Sequence, residues 1–93
     1  MENIKELLLS QYEYTEYEAN ATIEDIAQMD EECKSALDSF LNGGDISEFS
    51  YGEYSVVKLV IEFELNPISA LLTISALKND YENISQMLKK GIK

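Results

Sequence analysis

Any catalysis by this chain would have to come from carboxylates, lysines, hydroxyls and a single thiol, because its 93 residues include no His and no Arg. Without His, no side chain has an ordinary pKa suited to a general base near neutral pH, and neither a Ser-His nor a Cys-His pair can be assembled. Cys33 stands with Ala36, Leu37, Phe40 and Leu41 at helical spacing, which reads as a small buried hydrophobe rather than a nucleophile. Metal ligation fares no better, since Asp45 lacks the spaced Asp, Asn and Gly of an EF-hand loop. The expectation is a protein that is not an enzyme and uses no cofactor or metal.

Binding chemistry is better supplied. The run Tyr12-Glu13-Tyr14-Thr15-Glu16-Tyr17-Glu18 interleaves aromatic anchors with carboxylates, a mixture suited to an interface with a basic protein. Asp25, seven residues after Glu18, falls on the same helical face. The candidate partner-binding set is therefore Tyr12, Glu13, Tyr14, Glu16, Tyr17, Glu18 and Asp25. A structural role competes with this, in which one or two rings complete the core and the acids keep the chain in solution. The alternative function is DNA mimicry. Carboxylates on neighbouring helical turns lie about 5 to 6 Å apart, near the spacing of phosphates, so such a protein can inhibit a nucleic-acid-binding protein in the anti-restriction or anti-CRISPR manner.

The charge is large and uneven. Eighteen acids against seven lysines give a net charge of −11. Residues 1–64 hold 16 acids and 3 lysines, or −13, whereas residues 65–93 hold 2 acids and 4 lysines, or +2. That balance argues against direct contact with nucleic acid or an anionic membrane and favours a basic protein partner. A lone Cys33 cannot form an internal disulfide, and Leu7-Leu8-Leu9 is too short for a secretory signal, so the cytoplasm is the expected compartment. A chain of this length makes one domain, residues 1–93, with a single core.

The element that must organise that core is Tyr54 to Leu77, the one long segment almost without a polar face. Asn66-Pro67 divides it, Asn as an N-cap and Pro as a first helical residue, so a helix is predicted from Pro67 to about Lys78. Upstream, Ser55 can cap a helix from Val56 to Glu64. The alternation of Ile61 to Leu65 also fits a strand, but no other segment reads as β to pair with it. This central pair has the outline of a helix-turn-helix, yet Pro67 to Leu77 offers only Ser69, Thr73 and Ser75 to read DNA.

Around the pair, further helices are predicted from Glu2 to about Gln11, from Glu16 behind a Thr15–Glu18 capping box, and from Asp30 to the stop at Asn42-Gly43-Gly44. The second should bury Ala19, Ile23, Ile26 and Ala27, and the third Cys33, Ala36, Leu37, Phe40 and Leu41. A last helix runs from Tyr81 to Lys90, ended by Gly91. Asp45 to Tyr54 is expected as an ordered loop over the core.

Taken together, Tyr12-Glu13-Tyr14-Thr15-Glu16, Met29-Asp30, Phe40-Leu41, Tyr54-Ser55-Val56 and Leu65-Asn66-Pro67-Ile68-Ser69-Ala70-Leu71-Leu72-Thr73-Ile74 resemble a group of small acidic proteins of unknown function from Gram-positive bacteria. The resemblance implies an all-helical bacterial cytoplasmic protein and brings no activity, ligand or site residues. The reading as a whole is an all-α, compact five- to six-helix single domain around a central hydrophobic helical hairpin. It acts as a non-catalytic acidic protein-binding module, with a homodimer through an apolar patch near Ile61 or Leu72 as a further option.

Overall fold

The computed structural model describes residues 2–91. In chain order it contains α1 (Glu2–Ser10), α2 (Glu16–Ala27), α3 (Glu31–Leu41), β1 (Ser50–Tyr51), β2 (Tyr54–Ser55), α4 (Val56–Glu62), α5 (Pro67–Asn79) and α6 (Tyr81–Gly91). The fold is all-α, with six helices and one very small antiparallel hairpin among the described residues.

Local chemistry explains where the helices start. The Asn66 side chain accepts from the Ser69 N–H at 2.8 Å and Pro67 needs no partner, so α5 begins there. Ser55 caps α4 through the Lys58 N–H. Thr15 and Glu18 form the reciprocal capping box of α2. Asp30 caps α3 through the Glu32 N–H.

Helix α5 is the hub. It packs against α3, α4, α6 and both short strands, and no residue from Pro67 to Lys78 is exposed. Ile68, Leu71, Ile74 and Leu77 are fully buried, and Ile4, Leu8, Ile26, Cys33 and Leu59 close around them. Each such aliphatic side chain contributes about 1.5–3 kcal/mol by leaving water. The chain bends by 117° between α4 and α5, and among the described residues no single helix is long and apolar enough to cross a membrane.

Helix α4 ends two residues earlier than its periodicity suggests. Phe63 is the C-cap and Glu64 takes a left-handed φ of 60°, after which the Leu65 N–H returns to the Leu59 carbonyl at 3.2 Å. The connection from α1 to α2 is built the same way: Glu13 has a φ of 60° and the Tyr14 N–H returns to the Leu8 carbonyl at 2.9 Å. In both, a left-handed Glu satisfies the orphan carbonyls of one helix and leads directly into the cap of the next.

Four further expectations need correction. The segment expected as a loop up to Tyr54 ends in a β-hairpin, with Ser50 opposite Ser55 and Tyr51 opposite Tyr54. Its turn is Gly52-Glu53 with φ +62° at Gly52 alone, the arrangement of a type II′ turn. Two more concern Ala27 and Leu41, which were expected inside and are exposed. Each is the final residue of its helix, and an apolar stripe is covered only as far as a neighbouring element runs beside it. Tyr51, expected over the core with the other apolar residues of the lid, is also exposed at 39%, whereas Ile46 and Tyr54 are buried and Phe49 is half-buried as expected.

Candidate functional site

The left-handed turn at Glu13 sends the three clustered tyrosines in different directions. Tyr14 is half-buried, and its hydroxyl accepts from the Asn66 amide at 3.0 Å and lies 3.1 Å from the Ser69 hydroxyl. Tyr12 is also half-buried, in a hollow of about 270 Å³ shared with Leu7, Gln11, Phe40 and Leu41. Burial, with Tyr14 nearby, pushes the Tyr12 phenol above its ordinary pKa. Tyr17, by contrast, is 82% exposed.

The acids of the set all lie at the surface, though two have local duties. Glu18 is held in the capping box, and Glu16 meets Lys5 at 3.3 Å, a surface pair of small energetic weight that ties α1 to α2. Glu13 and Asp25 are exposed with no hydrogen bond or ion pair of their side chains among the described residues. The structure therefore leaves Tyr17, Glu13 and Glu16 exposed at and just before the start of α2, with Glu24 and Asp25 exposed further along it. It leaves Tyr12 and Tyr14 half-buried, Tyr14 tied by its hydroxyl to the start of α5.

A second cluster escapes sequence reasoning. Lys78, in the last turn of α5, reaches Asp30 at 2.8 Å and also hydrogen-bonds Glu32, with its ammonium 5.9 Å from the Tyr51 ring centre. The Asp30 N–H in turn donates to the buried Ser75 hydroxyl at 2.9 Å. The start of α3 is thus locked to the end of α5. The Lys78 hydrogen bond, with further N–H groups of Glu32 and Cys33, holds the Asp30 carboxyl below its ordinary pKa; bonding to Asp30 and then Glu32 raises that of Lys78. Asp30 was legible as a cap, but its charge partner lies 48 residues away and nothing local announces it.

These shifts set a pH dependence. A depressed carboxyl contributes stability above its unfolded value near 3.9, and that contribution is lost as pH falls through the folded value. A raised ammonium contributes below about 10.4, and its share is lost as pH rises through the folded value. Asp30→Asn is therefore expected to flatten part of the acid limb of the stability curve below about pH 4, measured by urea midpoints from about pH 2 to pH 7. Parallel acid limbs for the variant and the parent would take Asp30 out of the account. Asp45, lowered by the backbone N–H and hydroxyl of Ser47, contributes to what remains.

Cys33 is fully buried, and burial together with the Asp30 charge pushes its thiol up to about 11, so little thiolate is present near neutrality. No group of three or more Cys, Asp or Glu side chains among the described residues is placed to share a metal ion. An open groove of about 680 Å³ between α3 and residues 45–50 is lined by Glu32, Asp45 and Glu48 over Ala36, Ile46 and Phe49, and holds none of the candidate partner-binding residues. The chain matches no known protein family, and no curated protein or solved structure matches it.

Proposed function

We propose that this protein is a non-catalytic, acidic protein-binding module that meets a basic partner through the start of α2. One observation carries the reading: the Tyr17 ring stands 82% exposed beside Glu13 and Glu16. An aromatic ring left in water next to the unpaired Glu13 carboxylate and the loosely paired, exposed Glu16 is costly to keep for solubility alone and suits an anchor for a cationic, partly apolar surface. The buried state of α5 also supports a protein partner over DNA, since the second helix of the central hairpin has no free face to lay in a groove. A reducing, cytoplasmic setting accords with the unpaired Cys33.

The test is affinity capture from cell lysate at low and high salt, with Tyr17→Ala and Glu13→Gln/Glu16→Gln variants run in parallel and captured proteins identified by mass. A basic protein held at low salt, released at high salt and missed by both variants supports the reading. Equal capture by parent and variants overturns it. If the captured protein binds nucleic acid and DNA displaces it from this surface, the role is that of a DNA-mimicking inhibitor.

A further inference from the structure

The molecule also carries a surface complementary to that acidic aromatic knob. Between α5 and α6 lies a groove of about 330 Å³, lined by Leu72, Thr73, Ala76, Ile84, Met87 and Leu88. Met87 is 64% exposed on its wall. Lys89 and Lys90, which follow the groove residue Leu88 in the last turn of α6, are exposed and have no ion pair among the described residues. The remaining described lysines are engaged: Lys5, Lys34 and Lys78 in ion pairs, and Lys58 over the Tyr54 ring. The two free cations thus adjoin an open apolar groove, in the half of the chain that carries +2, from 4 lysines against 2 acids.

A groove of that kind takes an apolar group that brings negative charge with it. Tyr17 with Glu13 and Glu16 has that chemistry, in the half that carries −13, from 16 acids against 3 lysines. The positions also suit one another. Tyr14, three residues before Tyr17, touches α5 at Ser69, about one turn before the groove residues Leu72 and Thr73. The connection that leads into the knob thus touches the helix that forms one wall of the groove, and a two-fold axis can satisfy both contacts at once.

We infer that two copies of the chain pair reciprocally, with Tyr17 of each seated in the α5–α6 groove of the other and the Glu13 and Glu16 carboxylates facing Lys89 and Lys90. The net charge of −11 opposes any self-contact at long range. At physiological salt that repulsion is screened beyond about 8 Å, while the contact itself is short-ranged. The pairing uses the same exposed ring as the proposed partner interface, so self-association and partner binding exclude one another. Met87 belongs to the groove alone, which keeps the two ideas experimentally separate.

Sedimentation of the full chain at up to about 0.5 mM in about 0.15 M salt tests the pairing. The parent should form a saturable dimer. Tyr17→Ala and Met87→Glu, both at exposed positions that leave the core untouched, should each weaken it at least about tenfold. Their equimolar mixture should associate more tightly than either variant alone, because the mixed dimer keeps one intact knob in one intact groove. A monomeric parent, a Met87→Glu variant that dimerises like the parent, or a mixture no tighter than its components would each overturn the inference. Capture of a basic partner by Met87→Glu but not by Tyr17→Ala would leave the partner interface standing whatever the fate of the dimer.

Discussion

Leu71→Ala is expected to lower the free energy of unfolding by about 3 kcal/mol, the largest loss foreseen for one substitution in this chain. Leu71 is fully buried on a helix with no exposed residue from Pro67 to Lys78. Truncation removes three carbons from the core, and the cavity left behind cannot collapse easily because α3, α4, α6 and the hairpin already hold α5 from several sides. A domain of this size has about 5–14 kcal/mol in total, so the loss is a large share of it. In urea the midpoint should fall by about 2 M with an unchanged slope. Ile61→Ala, at a side chain 70% exposed, is the control and should stay within about 0.5 kcal/mol of the parent. A Leu71→Ala loss below about 1 kcal/mol would mean that α5 is not the hub.

The second large effect is at Gly52. A Cβ added there would sit 2.7 Å from Tyr81 Cε1 and 2.9 Å from its hydroxyl, closer than real contacts allow. The φ of +62° is also unfavourable for any residue with a side chain. The Tyr81 ring is not free to step aside: it packs edge-on against Tyr51 at 5.9 Å and tilts against Tyr54 at 6.3 Å. Gly52→Ala should therefore cost about 2 kcal/mol, the sum of the dihedral penalty and the displaced ring. Gly52→Asn tolerates the left-handed φ better yet still meets the ring, so it should recover only part of the loss. A double-mutant cycle with Tyr81→Ala separates the two causes, because without the ring only the dihedral penalty is left. Equal losses in both backgrounds would clear the ring of any part in it.

What could be read from the sequence was what is decided within a few residues. Thr15 with Glu18, Asp30, Ser55 and Asn66-Pro67 all cap helices where expected, because a cap is a contact between neighbours in the chain. The core stripe of α3 was legible up to Leu37 for the same reason. The hairpin was not, since strands of two residues are too short to show alternation, although Gly52-Glu53 between two tyrosines was a turn signal open to use. In the candidate site, the mixture of tyrosine and acid was visible but its orientation was not. Which ring faces water depends on the left-handed Glu13 and on Asn66 and Ser69, more than 50 residues away, which claim Tyr14. The Lys78 cluster failed to announce itself on the same ground: pairing across the fold leaves no local trace.

The Tyr14 hydroxyl joins the α1–α2 connection to the first turn of α5 across 52 residues of chain. In kinetic terms, closing a loop of that length costs about 3.5 kcal/mol beyond a constant before the contact gives anything back. The clasp is therefore expected to close late in folding, after more local contacts have placed α5. Until then the first helical pair and the central hairpin are separate pieces, each with its own left-handed Glu, and the order in which the molecule assembles is written in the distance between two nearly identical turns.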